Sequence, residues 1–377
     1  MLNIAVQKNL LSEDTLYQDV SYNDSHSKRG ALLLADGTML EGTSFGYYGA
    51  TSGEVVFSTG MVGYPETVTD ASFTGQILIM TYPIVGNYGV PDSSLWESNK
   101  IHTAGLIVSN YTDTPSHRQS IMTLGTWLRQ QKVPALEIKD TRFLTKHIRA
   151  HGSMLGKIVF DTDVPFYDPN ADNLVAQVST QQVSQAGSGK ITLVLIDCGA
   201  KRNIANALLA RNVRVITVPW DYDLFAPTRD FNFDGILISN GPGNPKKADK
   251  TIETLRMALE RKIPTLGVCL GHQLLALAAG GDTYKLKFGH RSQNQPCLLL
   301  GTKRCYITTQ NHGFAVGTLP PDFLPWFVNA NDGSNEGMQH PEYPFFSVQF
   351  HPEATPGPED TEWVFDYFLQ RIERARG

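Results

Sequence analysis

The stretch Ile263–Gly281, IPTLGVCLGHQLLALAAGG, passes from a short apolar run into a helix-like pattern through a single cysteine, Cys269, with Gly267 and Gly271 two residues to either side. An apolar run that leads straight into a helix is the unit from which a parallel sheet covered on both faces is built. The unit recurs upstream. ITLVLID (191–197) precedes NIANALLARN (203–212), VRVITVPW (213–220) follows, and FDGILISN (233–240) precedes KADKTIETLRMALERK (247–262). Fully apolar strands alternating with helices predict a doubly wound, mostly parallel α/β sheet over residues 191–377, closed by the amphipathic helix EDTEWVFDYFLQRIERAR (359–376).

Further upstream the rhythm changes. Residues 1–28 are polar and aperiodic, and we expect a flexible extension there. From Gly30 to about Gly156 the chain reads mostly as short strands. ALLLADGTMLEGTSFG (31–46) is a hairpin turning at Asp36-Gly37, and GEVVFSTG (53–60) and QILIMTYPIVG (76–86) are further β runs. Helices are expected near SIMTLGTWLRQQ (120–131) and TRFLTKHIRAHG (141–152), the second ended by Gly152. This predicts a β-rich α+β domain over 29–180. Ser, Gln and Gly dominate from Ser179 to Lys190, so 181–190 reads as a linker. AGSGKIT (186–192) within it is a false phosphate loop: Ser184 stands where the first glycine belongs, Ile191 follows the lysine, and the segment precedes its strand instead of following it.

A net charge of −5 gives no sign of nucleic-acid or acidic-membrane binding, and no apolar run reaches membrane-spanning length. The first residues lack the compact apolar stretch of a signal peptide. The four cysteines, Cys198, Cys269, Cys297 and Cys305, form no CxxC pair, so no metal site is expected and a reduced, cytoplasmic chain is.

In open α/β sheets, ligands bind at the carboxyl ends of the strands. A cysteine on the sharp turn from strand to helix there points outward, and the helix dipole favours its thiolate. A second piece, FFSVQFHPEATPGP (345–358), ends a strand at His351 with Glu353 two residues on, an imidazole base and a carboxylate able to orient it. Because His351 lies 82 residues after Cys269, the two meet only in the fold. A third, ILISNGPGNP (236–245), ends a strand in Gly241-Pro242-Gly243, where backbone N–H groups can approach an oxyanion. His272, next to the cysteine, is the rival base; from the first turn of its helix it should lie poorly for the thiol. His312 is expected to support a pocket wall.

Together GVCLGHQ, SNGPGNP and HPE resemble the class I (triad) glutamine amidotransferases. The resemblance implies Cys269 as nucleophile, His351 as base and Glu353 as its orienting carboxylate, working through a γ-glutamyl thioester. GEVVFSTGMVGYPETVTDASFTGQILIMTYPIVGNYG (53–89), KFGHRSQNQP (287–296) and TQNHGFAV (309–316) narrow the likeness to the small-subunit family of carbamoyl-phosphate synthetase, from about Arg29 to the C-terminus. That family implies glutamine contacts at Ser72, Gly241, Gly243, Leu270, Gln273, Asn311, Gly313 and Phe314, with Ser72 reaching in from the first domain. It also implies a large-subunit partner, docked largely on that domain. The partner receives ammonia through a tunnel and makes carbamoyl phosphate from bicarbonate and ATP for pyrimidine and arginine synthesis. ATP and magnesium belong on the partner, so no cofactor is expected in this chain.

The family's usual aspartate is Asn244 here, a lost charge beside the oxyanion loop that bears on efficiency rather than reaction type. NANDGSNEG (329–337) and PFFSVQFHPE (344–353) also resemble the amidotransferase segment of the eukaryotic multifunctional pyrimidine enzyme. The initiator Met and a C-terminus just past the closing helix favour a free-standing subunit. Two other classes remain beside the enzyme. One is an inactive scaffold or regulator on the same fold, against which the complete Cys269–His351–Glu353 set speaks. The other is a stand-alone cysteine hydrolase, against which the first domain and the NGPG and QNHGF segments speak.

Overall fold

The computed structural model of the protein describes residues 28–376, so the expected N-terminal extension lies outside the described residues apart from Lys28. Seven strands, β1 (Arg29–Leu34), β2 (Met39–Ser44), β3 (Thr51–Ser58), β4 (Gln76–Met80), β5 (Gly105–Val108), β6 (Ala135–Glu137) and β7 (Met154–Val159), close a barrel in the order β1-β2-β6-β5-β4-β3-β7. The expected hairpin is β1–β2, with Leu33 opposite Met39. Three helices accompany the barrel strands: α1 (Tyr64–Thr69), α2 (Leu124–Gln130) and α3 (Thr141–His151). Thr123 caps α2 by accepting from the Thr126 N–H, and α3 stops at Gly152, whose φ of 100° few other residues adopt. The barrel interior takes Leu32, Leu34, Val55, Ile77, Ile107, Leu136 and Ile158, with Leu144 and Ile148 of α3 packed against them.

A short helix, α4 (Leu174–Val178), leads into a ten-stranded sheet. Its strands are β8 (Ser184–Ala186), β9 (Ile191–Asp197), β10 (Val213–Pro219), β11 (Gly235–Ile238), β12 (Thr265–Val268), β13 (Asp282–Leu299), β14 (Cys305–Thr318), β15 (Leu324–Asn329), β16 (Asn335–Gln339) and β17 (Phe345–Val348). The helices are α5 (Arg202–Ala210), α6 (Asp249–Glu260), α7 (Leu270–Ala278) and α8 (Trp363–Arg376). Strands β10-β9-β11-β12-β17 form a parallel core. It is doubly wound: Leu193 and Leu195 face a cluster with α5 and α8, while the alternating Val194 and Ile196 face one with α6 and α7.

Antiparallel strands extend this core at both edges. On one side β8 pairs with β10, so the stretch expected as a linker contributes a three-residue edge strand, with Ser184 opposite Thr217. On the other side β16, β15, β13 and β14 follow, a run that apolar-strand rhythm did not reveal. Strand β13 is 18 residues long and carries register shifts. These irregularities break the alternation that makes a half-buried strand readable.

The chain passes from β9 to β10 on one side and then to β11 on the other. The order therefore reverses between β9 and β11, the point at which such sheets bind ligands.

Candidate active site

Four successive carboxyl ends of the parallel core build the site. After β9 comes Lys201, after β11 Asn240-Gly241-Pro242-Gly243, after β12 Cys269, and after β17 His351 and Glu353. Cys269 has φ 54° and ψ −102°, a strained backbone for a residue with a side chain. The flanking glycines make that turn possible. A Cβ on Gly267 would lie 2.4 Å from the Gly271 carbonyl oxygen, and one on Gly271 would lie 2.3 Å from the Ile238 carbonyl oxygen. Chain before and after the cysteine thus crosses in backbone contact, and the helix start is pressed onto β11. The Cys269 N–H donates to the Val348 carbonyl at 2.9 Å, tying the turn to the strand that leads to His351.

His351 and Glu353 are almost wholly buried, and the His351 Nδ1 lies 2.7 Å from Glu353 Oε1. The other ring nitrogen, Nε2, has no partner of hydrogen-bonding geometry. The Cys269 side chain nonetheless lies near enough to the ring to favour its charged form. Burial opposes a charge on His351, but Glu353 and Cys269 outweigh it and hold the imidazolium well above its ordinary range. For Glu353 burial again opposes the charge, and Lys201 and His351 outweigh it, so the carboxylate is kept far below its usual pKa. His272 turns away: its Nδ1 lies 2.8 Å from Ser347 Oγ, and burial lowers its pKa to about 3.

A pocket of about 370 Å³ empty volume opens over Cys269. Its wall brings together all eight residues expected to contact glutamine, Ser72, Gly241, Gly243, Leu270, Gln273, Asn311, Gly313 and Phe314, and adds Glu54, Gln76, Asn170, Arg291 and His312. Ser72 comes from the barrel side and the other seven from the large sheet side. The amide N–H groups of Gln273 are taken up by the Phe314 carbonyl at 2.8 Å and Gln349 Oε1 at 3.0 Å, which leaves its own oxygen for a ligand. The N–H of Gly271 is occupied by the Ser239 carbonyl. Leu270, at the first position of α7, has no intrahelical acceptor for its N–H.

The comparisons with known proteins fit these two halves separately. A family model described as "Carbamoyl-phosphate synthase small chain, CPSase domain" matches residues 32–158, and "Glutamine amidotransferase class-I" matches residues 194–371. The chain belongs to the carbamoyl-phosphate synthase small-chain family. It is 48% identical to the multifunctional protein URA2 of Saccharomyces cerevisiae, over 92% of this chain and 18% of that protein. It is 48% identical to the multifunctional protein CAD of Squalus acanthias, over 90% of this chain and 16% of that one. It is 47% identical to the human mitochondrial carbamoyl-phosphate synthase [ammonia], over 92% and 24%. The chain therefore spans between 16% and 24% of the length of these relatives.

Three residues of this small-chain site escaped the sequence reading. Lys201 is buried with its Nζ 3.1 Å from Glu353 Oε1 and donating to the Ala354 carbonyl. A lysine at the start of α5 stands at the end of a helix dipole that repels it, and that misplacement was the available signal. Asp70 lies just before Ser72. Its Oδ1 accepts from the Ser72 N–H at 2.9 Å and from Asn240 Nδ2 at 3.1 Å, and its Oδ2 accepts from Asn311 Nδ2 at 3.0 Å. Nothing in the local sequence marks it. Arg291 is the third, on β13.

Asn244 is not in the pocket wall. Its Oδ1 accepts from the Lys246 N–H at 3.0 Å and caps the short turn Pro245–Lys247, a bond an aspartate would make equally. Donor atoms of His290, His312 and Glu336 lie within 4.8 Å of one another, a spacing that could admit a metal ion. The Gln310 carboxamide already bridges all three, its oxygen 3.1 Å from each imidazole and its nitrogen 2.8 Å from Glu336. The cluster is a satisfied polar network under the pocket wall. Among the described residues, no helix is long and apolar enough to cross a membrane.

Proposed function

We propose that this chain hydrolyses L-glutamine and supplies the ammonia to a carbamoyl-phosphate synthase. The observation that carries the reading is the strained Cys269, set against the buried His351–Glu353 pair in a pocket walled by both halves of the chain. Family membership alone does not choose between nitrogen donors, because relatives of similar identity include synthases named for ammonia. The residues of this chain favour glutamine.

The Cys269 sulfur attacks the side-chain carboxamide carbon of glutamine as the thiolate, its proton already held by His351 as the imidazolium. The N–H groups of Leu270 and of the Gly241–Gly243 loop receive the oxyanion. As the C–N bond breaks, His351 returns the proton to the leaving ammonia, and a thioester remains. Water attacks the thioester with His351 again as base; the C–S bond breaks, and glutamate and the free thiol are released. Glu353 orients the imidazole and stabilises its charge, while Lys201 offsets the Glu353 charge.

The ammonia passes to a synthetase large subunit or to synthetase domains of a longer chain, where ATP and magnesium are used. The lengths of the relatives and the name of the matched barrel family support this partner, and the barrel is the surface we assign to it. The carbamoyl phosphate formed serves pyrimidine or arginine synthesis.

The test is glutamate release by the wild-type chain and by Cys269→Ser, alone and with a synthetase large subunit, bicarbonate and ATP. Release that rises with the complete mixture and disappears in C269S, with ammonia-dependent synthesis kept, is expected. No release from folded wild-type chain in either setting would put an inactive scaffold in its place.

A further inference from the structure

The wall of the glutamine pocket contains a buried cation that, among the described residues, has no ion-pair partner. Arg291 on β13 is 4% exposed. Its Nη1 donates to the Phe288 carbonyl at 2.9 Å, its Nε is buried without a hydrogen-bond partner, and among the described residues it forms no ion pair. The guanidinium lies close against backbone. A Cβ on Gly289 would sit 2.3 Å from Nη1 and one on Gly313 3.1 Å from Nη2, so two glycines clear the space it occupies. Gly313 is itself a pocket residue. Glu54, the nearby carboxylate of the same pocket, favours the Arg291 charge from a distance, but its Oε1 has Lys285 Nζ at 2.5 Å and it makes no ion pair with Arg291. A buried, unpaired guanidinium with an idle N–H is costly, and such a cost is kept where a ligand removes it. On β4, Gln76 Oε1 is also buried without a partner and lines the same pocket. The pocket wall therefore holds an idle cationic donor and, in Gln76, an idle acceptor that no cation contacts, whereas Glu54 Oε1 lacks a hydrogen bond but sits against Lys285; donor and acceptor together complement an α-amino acid's two charged ends.

We propose that Arg291 receives the α-carboxylate of the substrate and Gln76 its α-ammonium group, so that Arg291 restricts the site to free α-amino acids. The inference rests on the glutaminase reading above and adds a specificity residue to it. Arg291 also lies within electrostatic reach of Cys269, and the rival role is support of the thiolate.

The experiment compares ammonia release from L-glutamine and from 4-aminobutanamide, which is glutamine without its α-carboxylate, by the 377-residue chain and its variants Arg291→Gln and Arg291→Lys. Loss of a charged hydrogen bond should raise the glutamine KM of R291Q about tenfold to a hundredfold, with kcat kept within about threefold. R291K, which keeps the charge but not the planar fork, should fall between R291Q and wild type. Discrimination against 4-aminobutanamide should be strong in wild type and largely lost in R291Q. The pH profile of Cys269 alkylation by iodoacetamide should not move.

An unchanged glutamine KM in both variants overturns the inference, as does an alkylation profile that shifts while KM stays. If R291Q does not fold, R291K and the substrate comparison decide. Calorimetric titration of L-glutamine into C269S, with and without R291Q, separates the two readings. Arg291-dependent binding without wild-type hydrolysis removes the glutaminase alone. Hydrolysis with Arg291-independent binding removes this inference alone.

Discussion

Gly271 and His351 show what single positions decide. A methyl group at Gly271 meets the Ile238 backbone carbonyl, which cannot move without displacing β11. Gly271→Ala should therefore cost at least about 2 kcal/mol and abolish glutamate release; a denaturation midpoint equal to wild type would show that the helix can retreat from the strand. His351 allows a prediction with a sign. Its native pKa is raised above the ordinary 6.5, so its stabilising contribution is complete below pH about 6.5 and fades as pH rises through the native value. His351→Asn should accordingly lose more unfolding temperature relative to wild type at pH 6 than at pH 9. Equal losses at both would mean that the ring is neutral in the folded chain.

At the scale of elements, the short turn after α1 is fastened to two loops of the large sheet by one carboxylate. Asp70 accepts from Asn240, beside Gly241, and from Asn311, near Gly313, while capping the turn that carries Ser72. Asp70→Ala leaves two buried amides without that acceptor and should cost about 2–4 kcal/mol in denaturant titration. It should also raise the glutamine KM, because both loops line the pocket. A stability change under about 0.5 kcal/mol would mean that water replaces the carboxylate.

For the whole molecule, the pocket is a product of both halves. Ser72, Gln76 and Glu54 come from the barrel side and Cys269, Gln273 and Asn311 from the sheet. Ser72→Ala removes a hydroxyl but leaves Asp70 as the partner of Asn240. We expect the glutamine KM to rise about tenfold, with a stability loss under about 1 kcal/mol. An unchanged KM would make the barrel a support and not a wall of the site. The same arrangement gives a partner docked on the barrel a route to the chemistry: a shift of the Ser72 turn acts on Asn240 through both Asp70 and the Ser72 hydroxyl, and on Asn311 through Asp70.

By itself the sequence determined the parallel core, the hairpin β1–β2, helices α2 and α3, the cysteine turn and the pair His351–Glu353. Each is set by neighbours in the chain: apolar runs, a turn dipeptide, a cap, glycines two residues from a thiol, a base and a carboxylate two residues apart. The tertiary structure alone decided the roles of Lys201, Asp70 and Arg291 and the strands β13 to β16. A lysine's counter-charge 152 residues away, a carboxylate shared by two distant amides and a guanidinium left unpaired are relations between segments. Bulges remove the alternation that would have announced the strands. Local spacing encodes local geometry; the balance of buried charge exists only once the barrel and the sheet have closed on each other.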